Sequence, residues 1–221
     1  MSRTIVVGDV HACVRELGDL CERLSVSPRD RVFFVGDLIM RGPDPAGVMK
    51  LVRSLGARSV RGNHEQRLLR WRESPKDNEE LARTAKALSE EDWRFLEDEP
   101  LWIDLPEHEL RIVHAGLDPS RPIDKQPRRV LLTCRTIDRH GRPSDRRDVG
   151  VPWGSRYQGP PHVVFGHNAQ REPQIHPWAT GIDTGCVYGG SLTALVLERD
   201  EKVPAERPLV CVPAHAAYYH P

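Results

Sequence analysis

Little in this chain points to a membrane, an oxidising compartment or nucleic acid. The five cysteines, Cys13, Cys21, Cys134, Cys186 and Cys211, are odd in number, scattered and never spaced as CxxC. That argues against a disulfide framework or a zinc knuckle and for a reducing compartment. No apolar run approaches the roughly 18 residues of a membrane span. The opening Met-Ser-Arg-Thr-Ile-Val-Val enters a strand with no apolar leader or cleavage signal, so the expected location is cytoplasmic. An excess of one charge is also missing. Lys+Arg and Asp+Glu both number 32, and no membrane or stable nucleic-acid partner is expected. The charge is unevenly spread, however. Acidic side chains dominate residues 72–109 and basic ones residues 121–156, which suggests a local site for an anionic ligand.

With 221 residues and 38% hydrophobic content, the chain suits a single domain over residues 1–221. The first half repeats one pattern: an apolar run, a loop opened by Gly and a polar residue, then a helix-period segment. Strands are expected at Thr4–Val7, Val32–Val35 and 57–60, with helices at 13–24 and 46–55, the latter ended by Gly56. Such repeats argue for an α/β fold with a partly parallel sheet. A helix should follow His64 and run to Trp71, and two acidic amphipathic helices follow as an insertion at about residues 72–99. Strands are expected at Leu101–Leu105, Leu110–Val113, 162–165, Ser191–Leu197 and 208–212. Residues 118–160, rich in Pro, Arg and Asp, read as a long basic loop. Gly185, Gly189 and Gly190 read as turn positions with φ > 0, and residues 215–221 as a loosely attached end.

Metal-binding residue types recur at the strand exits. Arg31-Val-Phe-Phe-Val-Gly-Asp37 delivers a carboxylate, Ile5-Val-Val-Gly-Asp9-Val-His11 a carboxylate and an imidazole, and Ser59-Val-Arg-Gly-Asn63-His64 an amide and an imidazole. His114 and His167 follow two later strands. Any one of these alone would be a helix cap, a turn residue or a surface histidine, and His108, His140, His162, His176, His215 and His220 are read that way. Asp9, His11, Asp37, Asn63, His114 and His167 share one kind of position, and that coincidence is hard to explain by capping. Carboxylate, imidazole and amide oxygen suit Mn, Fe, Co, Ni or Zn better than Ca. Asp37 is expected to be shared by two divalent ions roughly 3.5–4 Å apart, as in two-metal hydrolases.

The ordered blocks GDVH, GDLIMRG, RGNHE, VHAGL and FGH, closed by IDTGCVYGGSLTAL, resemble the calcineurin-like metallophosphoesterases, in their phosphoprotein-phosphatase branch. Within that branch the GDL-x-x-RGP and DTGC-x-x-GG-x-LT blocks are most like symmetrical diadenosine-tetraphosphate hydrolases. The resemblance implies a β-sandwich of two mixed sheets flanked by helices. It implies one metal on Asp9, His11 and Asp37 and a second on Asp37, Asn63, His114 and His167. Two divalent ions are expected, manganese first, with Co, Ni, Fe or Zn as alternatives. Ala12 stands where the family usually has Gly, a departure expected to be tolerated.

Two metals imply attack at phosphorus by a bridging hydroxide without a covalent enzyme intermediate. Arg41, four residues after Asp37, and Arg135 are the expected phosphate-binding guanidinium groups. Tyr188 is the expected further substrate contact, and His64 the general acid. Asp183 is a candidate partner for a metal-bound histidine. Met40 stands where protein serine/threonine phosphatases of this branch carry an Asp that pairs with the histidine at position 64. Without that carboxylate the imidazole is a weaker proton donor near neutrality. A phosphoanhydride tolerates this, because its leaving phosphate has a pKa near about 6. The expected substrate is therefore a dinucleoside polyphosphate. The alternatives are a serine/threonine or tyrosine phosphoprotein, polyphosphate or capped RNA, and a non-catalytic scaffold.

Overall fold

Burial alternates along the first strands, and that alternation builds the layers. A computed structural model describes residues 2–220. In it β1 (Thr4–Val7) points Ile5 and Val7 to one side and Val6 to the other, and β2 (Arg31–Phe34) does the same with Phe34 and Phe33. One face packs on helices and the other on a second sheet. Both faces are buried, which is why these strands read as unbroken apolar runs.

Between these strands lies α1 (Val14–Arg23), and after them come α2 (Pro45–Ser54) and β3 (Arg58–Ser59). Then follow α3 (Asn63–Glu73), α4 (Glu79–Ala87) and α5 (Glu90–Asp98). The Asp44 side chain caps α2, Asn78 caps α4 and Ser89 caps α5, each accepting from a backbone N–H three residues on. The helices α4 and α5 contribute Leu81, Trp93 and Leu96 to the same core as α1 and α2. The second sheet begins with β4 (Trp102–Leu105) and β5 (Leu110–Val113).

Residues 118–160 differ from the expected loop. They hold a short helix, α6 (Arg128–Thr133), and a small sheet of β6 (Thr136–Ile137), β7 (Pro143–Ser144) and β8 (Val151–Pro152). Leu131, Cys134, Ile137 and Trp153 from this segment form a third core with Val163 and Phe165. Strands of two residues leave no periodicity to read, and the flanking Arg and Asp conceal the buried positions.

The chain closes with β9 (His162–Phe165), β10 (Gln174–Ile175), β11 (Ala179–Gly181), β12 (Ser191–Leu197) and β13 (Leu209–Pro213). The first sheet has the order β13-β12-β1-β2-β3 and the second β10-β11-β9-β5-β4. β1, β2 and β3 are parallel to one another, as are β5 and β9. The exits of parallel strands therefore fall on common edges of the sandwich. No helix among the described residues is long and apolar enough to cross a membrane.

The segment after β13 also differs from expectation. The His215 N–H and the Tyr218 hydroxyl both donate to Glu16 Oε1, at 2.8 and 2.9 Å, and the Tyr218 and Tyr219 N–H groups both donate to Val187 O. One tyrosine hydroxyl and three backbone donors anchor a stretch that lacks the apolar pattern of a helix or strand. In the Gly-rich turn, Gly185 and Gly189 have φ of +72° and +83°. Gly190 has no positive φ; it is needed because a Cβ there would lie 2.1 Å from Thr184 O.

At the opposite end of β1, Asp30 accepts from Arg3 Nη2 at 2.8 Å and from Ser27 N at 2.9 Å. The Arg3 guanidinium first, then the backbone N–H groups of Ser27 and Arg3, hold its carboxyl well below the usual carboxylate range. A depressed carboxylate stabilises the fold above the unfolded pKa of about 4 and loses that contribution as pH falls below it. Asp30→Asn should cost about 2 kcal/mol at pH 7. In urea titrations at pH 7 and pH 3, the gap between variant and wild type should narrow at pH 3.

Candidate metal centre

The loops that leave β1, β2 and β9 adopt a backbone that side-chain-bearing residues rarely take. His11, Ala12, Asp37, Met40, Arg41 and His167 all have φ between +48° and +73°. Left-handed residues of this kind cost of order 1 kcal/mol each and collect at functional sites. The expected family glycine at position 12 is explained by its φ of +59°, which Ala tolerates at a modest cost.

Asp37 is the hub. Its Oδ1 accepts from the His64 N–H at 3.0 Å, at the first turn of α3, where the helix dipole favours negative charge. Its Oδ2 lies 3.7 Å from His11 Nε2 and 3.4 Å from His114 Nε2. Two groups of potential ligand atoms form around it: His11, Asp37 and His64 on one side, and Asp37, His114 and His167 on the other. Asn63 Oδ1 joins the second group, 2.9 Å from His114 Nε2 and 2.8 Å from His167 Nδ1. Asp9 stands beside these groups and accepts the His167 N–H on both carboxylate oxygens, at 3.1 and 3.2 Å. His64 lies edge-on to His11 with ring centroids 5.0 Å apart.

The donor set fits divalent cations. His114 Nδ1 lies 2.8 Å from Val35 O, so it carries the proton and Nε2 presents a lone pair. That lone pair faces the carbonyl oxygen of Asn63, an approach of two acceptors that a cation between them would relieve. Burial pushes the Asp37 carboxyl up to about 7 and, with Asp183 and Asp37 nearby, raises Asp9 well above its ordinary value. Burial, with Arg41 adding to it, lowers His11 to about 3. Neutral imidazoles beside crowded carboxylates form a site that gains from cationic charge.

Arg41 reaches into this cluster. Its Nη1 lies 3.4 Å from His11 Nε2 and also donates to the Tyr188 hydroxyl. The guanidinium sits over the rings of both Tyr188 and Tyr219, at 5.6 and 5.2 Å. The contact with Tyr219 has no signal in the sequence, because it depends on the return of residues 215–220 to the Gly-rich turn. Arg135 is half-buried. Its Nη1 donates to Asp145 O at 2.9 Å, and its charge acts on Asp37 and His167. Asp183 has no histidine partner among the described residues. It accepts instead from the Gly185 N–H at 3.1 Å, because the tight turn brings that donor nearer than any imidazole.

Glu65 is a residue the sequence reading passed over. Its buried carboxylate accepts from the N–H groups of Asp37, Leu38 and Gly62 at 2.8, 3.0 and 3.0 Å. It thus ties the loop after β2 to the start of α3. Position 62 must be glycine, since a Cβ there would meet Asp37 Oδ1 at 2.2 Å and Glu65 Oε2 at 2.4 Å. The signal was present: a Glu three residues after the N-cap position is the reciprocal half of a capping box.

Comparison with known proteins agrees with this geometry. The family described as calcineurin-like phosphoesterase matches residues 2–194. The asymmetrical bis(5'-nucleosyl)-tetraphosphatase PrpE of Halalkalibacterium halodurans is 34% identical, over 93% of this chain and 95% of its own length. Where the motifs suggested symmetrical hydrolases, this relative's name specifies the asymmetrical kind. A crystal structure of a provisionally named diadenosine tetraphosphatase superposes with a TM-score of 0.85 at 38% identity, over 96% of this chain and 93% of that one. A protein serine/threonine phosphatase from Saccharomyces cerevisiae shares the fold, at a TM-score of 0.63 and 17% identity, over 100% of this chain and 81% of that one. The expected sandwich of two mixed sheets flanked by helices is borne out, and the chain belongs to the calcineurin-like phosphoesterase family, as a metal-dependent phosphoester hydrolase.

Proposed function

We propose that this chain hydrolyses phosphoanhydride bonds of dinucleoside polyphosphates, cleaving diadenosine tetraphosphate asymmetrically to ATP and AMP. The observation that carries the reading is the state of His64. Its Nδ1 is buried with no hydrogen-bond partner, and Met40 is itself buried in the helix-side core. Burial first, then the neighbouring His11 ring and the Arg41 charge, lowers the imidazole far below its ordinary range. Such a group is a poor proton donor at neutral pH. A serine alkoxide needs protonation to leave, whereas a nucleotide phosphate does not. The names of the relatives support the same substrate class and the asymmetric bond.

In this reading Asp37, Asn63, His114 and His167 hold one divalent ion, and Asp9, His11 and Asp37 the other. Bound ions would supply positive charge against the phosphoryl oxygens and lower the pKa of the attacking water. Arg41, held by Tyr188 and Tyr219, binds the phosphoryl oxygens, and Arg135 adds positive charge from the opposite loop. The Asp37 carboxylate fixes His64 through its backbone N–H, which sets where the imidazole edge faces the substrate.

The test is product analysis with manganese. Diadenosine tetraphosphate should give ATP and AMP in equal amounts. Two ADP would keep the substrate class but overturn the choice of bond, and faster turnover of a phosphoserine peptide would overturn both.

A further inference from the structure

The side of α3 that faces α6 carries a cationic groove that the centre described above does not use. A cavity of about 390 Å³ starts at Asn63 and is walled by Gln66, Arg67, Arg70, Arg128 and Arg129. A neighbouring hollow of about 600 Å³ shares Gln66, Arg70 and Arg128 and adds Arg61 and Arg72, with Glu73 and Glu97 at its outer end. The two form one trough that leads from a candidate metal ligand out along α3.

Its charge is poorly compensated. Arg67 and Arg70 lie three residues apart on α3, so they share a face, and Arg128 approaches from another element. Among the described residues no carboxylate pairs with any of the three. The contact of Arg128 is with the neutral Gln66 Oε1. Arg129 pairs with Asp145, and Arg72, in the outer hollow, pairs with Glu97 and Glu90. Partial desolvation in the groove lowers the Arg128 pKa, and the charges of Arg61 and Arg70 lower it further. Asn63 and Arg67 both line the inner end of the trough, and His64 follows Asn63 in the first turn of α3, which places that end beside the metal-ligand cluster. Guanidinium groups gathered at this density repel one another, and a chain of phosphates would relieve that repulsion with bidentate contacts.

We infer that the trough between α3 and α6 binds the polyphosphate chain of the substrate beyond the phosphorus under attack, with Arg67, Arg70 and Arg128 as its ligands. This rests on the dinucleoside polyphosphate reading and deepens it. It explains how a site built for one phosphoryl group would select long polyanions over simple monoesters. A monoester spans only the metal centre and Arg41, whereas a tetraphosphate continues past Asn63 into the trough.

The experiment uses manganese-loaded protein, with manganese in excess of nucleotide, and the double variant Arg70→Gln/Arg128→Gln. All three arginines are exposed, so the fold should tolerate the exchange, and thermal unfolding checks that. Two readouts are taken: kcat/KM for diadenosine tetraphosphate relative to p-nitrophenyl phosphate, and inhibition of p-nitrophenyl phosphate hydrolysis by ATP and by inorganic phosphate. The expected result is a selectivity ratio lowered about tenfold or more, carried by KM, and ATP inhibition weakened by a similar factor. Inhibition by inorganic phosphate should weaken less than about twofold. An unchanged ratio and unchanged ATP inhibition would overturn the trough and leave the substrate reading standing. Equal weakening for ATP and inorganic phosphate would also overturn it, as a diffuse charge effect. Wild-type protein that leaves diadenosine tetraphosphate intact, yet binds ATP in an Arg70- and Arg128-dependent way, would uphold the trough and overturn the substrate reading.

Discussion

Replacing Asp37 with Asn should lower kcat/KM by at least about a thousandfold while leaving the metal-free fold intact. The carboxylate lies between both groups of ligand atoms, with Oδ2 at 3.4 Å from His114 Nε2 and 3.7 Å from His11 Nε2. An amide there removes the one negative charge that both groups would share. The variant should therefore also lose metal content, measurable by atomic absorption. Its effect on stability runs in the opposite direction. Burial raises the Asp37 carboxyl to about 7 in the folded protein, so without metal the ionised form is disfavoured. Its contribution to stability declines as pH rises from about 4 through 7. A neutral amide escapes that loss, so metal-free Asp37→Asn at pH 8 should melt at or above the temperature of metal-free wild type. A variant that kept its metal and most of its activity would end the assignment of Asp37 as the shared ligand.

Glu65→Gln should be the most damaging single-atom change outside the candidate metal ligands. Both carboxylate oxygens accept backbone N–H groups from two separate segments, and the site is fully buried. A glutamine retains one acceptor oxygen and turns an NH2 group toward donors. Leaving two buried N–H groups unsatisfied costs about 3–5 kcal/mol, or a fall in Tm of about 10 °C for a domain of this size. Asp37 should shift with its loop, so activity should fall together with stability. An alanine in place of Glu65 tests the same contact without the opposed NH2, and both variants should melt well below wild type by calorimetry. A Tm unchanged in both would show that the loop after β2 holds its shape without this brace.

The fold was legible where one segment carried its own signal. Paired apolar runs ending in Gly and a polar residue marked β1, β2 and β9, and residue type with position after a strand marked Asp9, His11, Asp37, Asn63, His114 and His167 as candidates; the ligand atoms that cluster around Asp37 are those of His11, His64, His114 and His167, with Asp9 beside them. Between them the structure adds distances and the acceptor-to-acceptor approach of Asn63 and His114. What escaped the sequence depends on partners remote in the chain. Residues 118–160 gain their order by burying Leu131, Cys134 and Trp153 against β9, not from local propensity. Tyr219 meets Arg41 because Glu16 and Val187 anchor the final residues. Asp183 looked like a histidine partner, but the turn that ends at Gly190 brings a closer donor to its carboxylate. Pattern reading identifies the groups that can act, and only packing decides which of them touch.

The left-handed backbone at His11, Ala12, Asp37, Met40, Arg41 and His167 has a bearing on how this enzyme could change over generations. Every residue except Gly meets a cost of about 1 kcal/mol or more at such positions, and β-branched residues fit worst, so many substitutions there would be disfavoured whatever their side chains offered. Drift in these loops should be slow, and a library built on them should return few active clones. The exposed arginines between α3 and α6 carry no such conformational tax. Selection for a new phosphorylated substrate would find its accessible mutations on those helix faces.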